Sequence, residues 1–335
     1  MLSVLISLLA VPAETEVTFV GHGGLQLRGS LMMPERRASL LPAVLLLPGS
    51  GPTDRDGNQM PTLITDLLKQ TAERLAKEGY ASLRFDKRAT PGYARTWPTD
   101  VKEQNDFFSF ERFVGDAKCA LLYLQKQPGV NNRQLVIAGH SEGSIIASEV
   151  ARELKGQVGA PTGLILMGAP GRTLDFLVKE QVAASLKRNA VPEATAKTYN
   201  DYVDLAIKEV LEKGTVPPNP PVGLGGLFPP SAIRLLKSYF TLDPSKSVSG
   251  FEGPVLVVQG QKDIQVSLER DTPILEKALK ARAKGATEVF AVPSASHNLK
   301  EVSDENKEPG MTGPVVPSAL DAIANWMKKQ FPIGG

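Results

Sequence analysis

Gln134-Leu135-Val136-Ile137-Ala138-Gly139-His140-Ser141-Glu142-Gly143 is the stretch on which the reading of the fold turns. Gln134–Ala138 is a short apolar run with β-branched residues, as expected of a strand buried on both faces. Residues from about 142 to 155 read as a helix. The junction carries the only G-x-S-x-G of the chain. A serine at a sharp strand–turn–helix junction stands clear of the sheet, and the glycines two positions either side let the two backbones pass without Cβ collisions.

Outward from this junction, strands and helices alternate. Glu16–Val20 and Leu25–Met33 read as strands joined at Gly21-His22-Gly23-Gly24, an N-terminal hairpin. Ala43–Leu47 is an apolar run ending at Pro48-Gly49. Leu63, Ile64, Leu67, Leu68, Thr71 and Leu75 recur at helical spacing, and Gly79 stops that helix. Tyr80–Phe85 is a strand, about 109–127 a helix, and Gly163–Met167 a strand. Val255–Val258 and Val289–Val292 are later strands. Leu320, Ile323, Ala324, Met327 and Phe331 mark a closing amphipathic helix. Such repetition predicts a mostly parallel sheet with helices on both faces. The alternation is broken over 172–250, which reads as helices around the proline- and glycine-rich loop Pro217–Pro230. The expected organisation is a core of 14–171 and 251–335 with 172–250 as a helical cap. Ligands of open α/β sheets bind beyond the carboxyl ends of the strands, where such an insertion sits over them.

A serine hydroxyl needs a base to take its proton. The chain has three histidines. His22 lies in the hairpin turn. His140 adjoins Ser141 in a tight turn and is badly placed to aim its ring at that hydroxyl. His297 follows the strand Val289–Val292 and is the candidate base. A base of this kind needs a carboxylate to fix its tautomer, and Asp263, after Val255–Val258, is the candidate, with Glu269 and Asp271 as rivals. The oxyanion of a tetrahedral intermediate needs preorganised N–H donors. Glu142 supplies one from its backbone. The loop after Ala43–Leu47, Pro48-Gly49-Ser50-Gly51-Pro52-Thr53-Asp54-Arg55-Asp56-Gly57-Asn58, supplies the other from Ser50, with Gly51 in reserve. Asp54, Arg55, Asp56 and Asn58 are expected to brace that loop. In the cap, Leu224, Leu227 and Phe228 are candidates for an apolar entry wall to the substrate site.

The 335 residues carry 38 basic and 36 acidic side chains, a net charge of +2, and no long run of like charge. That excludes an electrostatic basis for nucleic-acid or anionic-membrane binding. The single cysteine, Cys119, excludes an intramolecular disulfide and a cysteine-based metal site, and reads as a buried packing residue. Residues 1–13, MLSVLISLLAVPA, are apolar and end in small residues, like the core and cleavage site of a signal peptide, with processing expected after Ala13. The stretch is too short to span a bilayer as a helix. The alternative is a cytoplasmic protein with an apolar N-terminal tail.

The GHSEG turn, the GSGPTDRDGN loop and the order Ser141, Asp263, His297 resemble the α/β-hydrolase superfamily. Within it they resemble EstD-type bacterial carboxylesterases, relatives of the serine-aminopeptidase-like and dienelactone-hydrolase-like branches. RFDKRA at 84–89 is similar to that family's RYDKRG, with Ala89-Thr90-Pro91-Gly92 in place of its glycine pattern. The resemblance covers about 14–171 and 251–335. It implies an α/β-hydrolase fold and an esterase acting on small-molecule esters of short to medium acyl chains, with no cofactor and no metal. An aminopeptidase or amidase, a lactonase, and a non-catalytic binding protein on this fold are the alternatives.

Overall fold

The computed structural model describes residues 13–35, 40–303 and 312–333. The apolar segment read as a signal peptide lies outside them except for Ala13. The strands are β1 (Ala13–Val20), β2 (Gln26–Met33), β3 (Leu41–Leu47), β4 (Ala81–Phe85), β5 (Val130–His140), β6 (Gly163–Met167), β7 (Val255–Gly260) and β8 (Thr287–Val292). They form one sheet in the order β1-β2-β4-β3-β5-β6-β7-β8. β1 pairs antiparallel with β2, and β2 with β4; all other neighbours are parallel.

The helices are α1 (Leu67–Lys77), α2 (Val101–Phe107), α3 (Phe110–Leu124), α4 (Glu142–Glu153), α5 (Leu174–Arg188), α6 (Glu193–Glu212), α7 (Ile233–Thr241), α8 (Pro244–Ser249), α9 (Thr272–Lys280) and α10 (Pro317–Gln330). Alternate residues of the central strands enter two separate layers, as the two-residue period of a strand requires. Leu45, Leu47, Ile137, Leu166 and Val257 pack with Phe113 of α3 and Ile145 of α4. Val44, Leu46, Val136, Ile165 and Val258 pack with Leu68 and Leu75 of α1 and with Ile323 and Trp326 of α10. Each such fully buried aliphatic side chain contributes roughly 1.5–3 kcal/mol of transfer free energy. Neither face of β3, of β6 or of the Leu135–Ala138 and Val255–Val258 stretches of β5 and β7 could be polar without disrupting one layer, and their apolar runs follow from that.

Chain order and sheet order diverge at β3. The connection from β3 runs outward to β4, and the next strand, β5, returns to β3's other side. β3 and β5 therefore flank the point where the winding reverses, the place where open α/β sheets leave a crevice. Leu47, the last residue of β3, and Gly139, one residue before the end of β5, are register partners.

Two elements depart from the sequence-based expectation. Leu63 and Ile64 lie before α1, not in it. The Asn58 side-chain oxygen accepts from the N–H groups of Thr65 and Asp66, at 2.7 and 2.8 Å. Asp66 adopts φ +48°, so the helix begins only at Leu67. α2 has no buried residue and hence no apolar stripe to betray it. Its start is fixed by the Asp100 carboxylate, which accepts from the N–H groups of Lys102 and Glu103. Cys119 is half-buried, less enclosed than expected.

Between β6 and β7 the chain forms α5 to α8 and no strand. α5, α6 and α7 close on an apolar cluster of their own, including Val182, Val203, Ile207, Val210, Leu224, Phe228 and Phe240.

Candidate active site

Ser141 stands between β5 and α4 with φ +53° and ψ −119°, a backbone conformation that side chains other than glycine rarely adopt. Its N–H donates to Met167 O at the end of β6, at 2.8 Å. A methyl group on Gly139 would collide with the Gly143 carbonyl, and one on Gly143 would sit 2.5 Å from Leu47 O. The turn can therefore be this tight only with glycine at both positions.

His297 follows β8 and Asp263 follows β7, on adjacent strands. The His297 Nδ1–Asp263 Oδ2 distance is 2.8 Å, and both side chains are almost wholly buried. Asp263 Oδ1 accepts from the N–H groups of Gln265 and Val266, at 2.8 and 2.9 Å, and Oδ2 also accepts from Gln259 Nε2 at 2.7 Å. Burial pushes the Asp263 carboxyl up, but the His297 imidazole and the two backbone donors outweigh it and hold the group below the usual carboxylate range. An ionised acceptor at Nδ1 assigns the imidazole proton to that nitrogen and leaves Nε2 as the basic one.

The end of β6 joins the serine and the histidine. Met167 O holds Ser141, and Gly168 lies against the His297 ring, so close that a Cβ there would be 3.1 Å from Nδ1. The rings of His140 and His297 have centroids 4.7 Å apart. The Ser141 hydroxyl itself has no hydrogen-bond partner among the described residues, and the residue is half-buried. A serine–imidazole bond that is open without substrate is common in hydrolases and closes in the complex. His140 turns its ring away from Ser141: Nε2 lies 3.0 Å from His297 O, and a carbonyl there requires Nε2 to be the donor. Burial, with the neighbouring His297, lowers its pKa to about 3, so it is neutral.

The loop after β3 runs beside the serine, since a Cβ on Gly49 would be 3.4 Å from Ser141 Cβ. Ser50 O accepts from Thr53 Oγ1 and Gln59 Nε2, at 2.7 and 2.8 Å. With that carbonyl held back, the N–H groups of Ser50, Gly51 and Glu142 have no acceptor among the described residues. The loop is braced as expected. Arg55 makes a bidentate pair with Asp86, at 3.0 and 2.8 Å. Asp54 Oδ1 accepts from the N–H groups of Asp56 and Asn58, both at 2.9 Å.

Asp271 is not near His297's ring nitrogen. It is fully buried and accepts from the N–H groups of Gly171 and Ser267 and from the Arg172 guanidinium. Glu269 is exposed in the turn before α9. Phe228 is 2% exposed inside the cluster of α5 to α7, edge-on to Tyr202, so its surroundings are those of a packing residue. Leu224 is also buried there, while Leu227 is 42% exposed.

Lys87 was not singled out by the sequence. Its ammonium is buried between the loop after β3 and the start of α4, 2.8 Å from Glu142 Oε1 and 3.1 Å from Gly49 O. Its neighbours in the RFDKRA segment are buried in pairs too, Asp86 with Arg55 and Arg88 with Asp116. Three consecutive charged residues after a buried strand were the available signal.

Comparison with known proteins finds hydrolases. A family model described as serine aminopeptidase, S33, matches residues 65–300. Esterase EstD of Thermotoga maritima is 26% identical over 320 residues, 94% of this chain and 68% of that protein. Among solved structures, Est1E from Butyrivibrio proteoclasticus superposes with a TM-score of 0.56 at 16% identity, covering 94% of this chain and 98% of that one. EstE1, a thermostable carboxylesterase cloned from a metagenomic library, gives 0.59 at 17% identity, covering 97% and 91%. At these identities the structures speak for the fold alone, which is that of the α/β-hydrolases. The family match spans well over half the sequence, and the chain belongs to the serine aminopeptidase S33 family of α/β-hydrolases.

Proposed function

We propose that the protein is a serine carboxylesterase that cleaves small-molecule esters of short to medium acyl chains through an acyl-enzyme. The observation that carries this reading is the 2.8 Å pairing of His297 Nδ1 with Asp263, beside the strained Ser141 turn. It leaves Nε2 as a base at the carboxyl edge of the sheet, where Ser141 also stands. Ser141 attacks the ester carbonyl while His297 accepts its proton. The N–H groups of Ser50 and Glu142, with Gly51 beside them, receive the oxyanion. His297 then protonates the departing alcohol, and water repeats the sequence on the acyl-enzyme. No cofactor enters these steps. The relatives named as esterases support the substrate class.

Residues 172–250 act as a cap that sets acyl specificity, with Leu227 as the exposed apolar contact. The family's aminopeptidase description offers amide hydrolysis as the alternative. An aminopeptidase needs free carboxylates to hold a substrate amine. Glu180 is taken by Arg172 and Arg270, Asp201 by Lys197 and Asp204 by Lys179. These pairings favour the ester reading.

A fluorophosphonate should label Ser141. Ser141→Ala should lower ester turnover on the order of 10⁶-fold. A series of p-nitrophenyl esters run beside aminoacyl amides separates the two substrate classes. Near-normal turnover by the alanine variant removes the serine assignment, and faster cleavage of the amides removes the esterase one. Export through the 1–13 segment is part of the same reading. Among the described residues no helix is long and apolar enough to cross a membrane. N-terminal sequencing from the native host decides it, since an intact Met1 or Leu2 refutes cleavage.

A further inference from the structure

We propose that Lys87 is a positioning residue that holds the two halves of the oxyanion hole at a fixed separation. The inference rests on the esterase reading above. The two donors come from different parts of the chain, Ser50 after β3 and Glu142 at the start of α4, and no backbone hydrogen bond joins the two segments among the described residues. The Lys87 ammonium does join them. It donates to Gly49 O, one residue before Ser50, and to the side chain of Glu142 itself.

The clamp is internal and well enclosed. Lys87 is 5% exposed and Glu142 3%. The ammonium also sits 4.8 Å from the centre of the Phe113 ring on α3, a cation–π contact within the usual range. The Tyr239 hydroxyl, on α7, reaches the vicinity of the Glu142 carboxylate but completes no hydrogen bond. Lys87 is thus the described partner of that carboxylate. A buried ion pair of this kind is a poor source of net stability, because desolvation offsets most of the attraction. Its use lies in geometry: three contacts from one ammonium fix where a loop and a helix terminus meet. Lys87 reaches this point from the carboxyl end of β4, next to β3 in the sheet.

The test is Lys87→Met, which keeps the length of the side chain and removes the charge. Losing one oxyanion donor outright costs about 10²–10³-fold in kcat; loosening both should cost about 10–100-fold in kcat, with KM within about threefold. Affinity for a trifluoromethyl ketone, whose hemiketal oxyanion needs the same donors, should fall by the same factor as kcat/KM. A role confined to folding would lower thermal stability and leave that ketone affinity unchanged in the folded fraction. Lys87→Met leaves Glu142 buried without its partner and can fail to fold. The pair Lys87→Met with Glu142→Leu removes both charges, and such replacements are often tolerated. The paired variant is expected to fold with kcat still reduced, because Gly49 O remains unheld. Wild-type kcat, or undiminished ketone affinity, in either folded variant overturns the proposal. A wild-type protein that neither reacts with a fluorophosphonate nor cleaves an ester sinks the esterase reading instead, so the two failures are distinguishable.

Discussion

His140 donates from Nε2 to the backbone carbonyl of His297 at 3.0 Å, so the residue before Ser141 holds the loop that carries His297. The contact spans 157 residues of sequence and ties the carboxyl end of β5 to the segment after β8. An imidazolium would also donate from Nε2; it is burial that requires the ring to be neutral.

That requirement gives a pH dependence. Burial lowers the His140 pKa to about 3, against about 6.5 in an unfolded chain. Between those values the unfolded state binds the extra proton, so stability rises with pH there. Above about pH 6.5 the group is neutral in both states and contributes no slope. As pH falls from 6.5 towards 3, this one residue should cost up to about 1.4 kcal/mol per unit. His140→Leu is expected to be less stable at pH 8 and to show a shallower acid slope, by urea unfolding across pH 4–8. Identical slopes in the two proteins would count against a buried neutral histidine.

The two aspartates near the cleft divide their work. Asp263 faces the imidazole, whereas Asp271 is the anchor of Arg172 at the entrance to α5. Asp263→Asn should lower kcat on the order of 10⁴-fold, because an amide no longer specifies the Nδ1–H tautomer, with unfolding free energy little changed. Asp271→Ala should cost about 1–3 kcal/mol, because it leaves the N–H groups of Gly171 and Ser267 without their acceptor while Arg172 keeps Glu180, with kcat of the folded protein affected far less. Steady-state kinetics and denaturant unfolding on both variants check the split. Interchanged phenotypes would assign the acid to Asp271.

What was legible in the sequence follows from how each feature is encoded. The central strands are buried on both faces, so their apolar runs show directly; Ser141 and Asp263 follow two of them, and His297 follows the half-buried edge strand β8. α2 presents no apolar face and was invisible. Leu63 and Ile64 continue the helical spacing of α1, yet the side chain of Asn58 captures the backbone before the helix can start. Lys87 was hidden for another reason: its role depends on Gly49 and Glu142, 38 and 55 residues away. Periodicity carries no information about such contacts. Phe228 and Leu227 are neighbours in an apolar loop, and only the structure tells the inward one from the outward one.

Strain at Ser141 predicts an inverted stability order. Ser141 holds φ +53° with ψ −119°, which costs a non-glycine residue about 1–3 kcal/mol. Ser141→Gly removes that cost and Ser141→Ala does not. Both lack the hydroxyl and should be inactive, but the glycine variant should be the more stable of the two by about 1 kcal/mol, even after its larger unfolded-state entropy. Gly143→Ala should act in the opposite sense, since its methyl would press on Leu47 O at 2.5 Å. Thermal and urea unfolding of the three variants read this out; an alanine variant at least as stable as the glycine one would place no strain at Ser141.

The insertion between β6 and β7 offers a separation of packing from specificity on two adjacent residues. Phe228 is 2% exposed among Val203, Ile207 and Phe240, so Phe228→Ala should open a cavity and cost about 3–5 kcal/mol. Because that cluster is built by α5, α6 and α7 themselves, the loss should appear first as faster hydrogen exchange in 174–241, ahead of the sheet. Leu227 is 42% exposed and not part of that cluster, so Leu227→Ala should change stability by about 0.5 kcal/mol or less. If the insertion covers the acyl site, Leu227→Ala is the variant that should shift the preference among acetyl, butyryl and octanoyl esters. Profiles of kcat/KM over that series, measured on both variants at a temperature where Phe228→Ala is fully folded, decide it. A shift confined to Phe228→Ala would mean that the shape of the whole insertion, and not an exposed side chain on it, selects the acyl group.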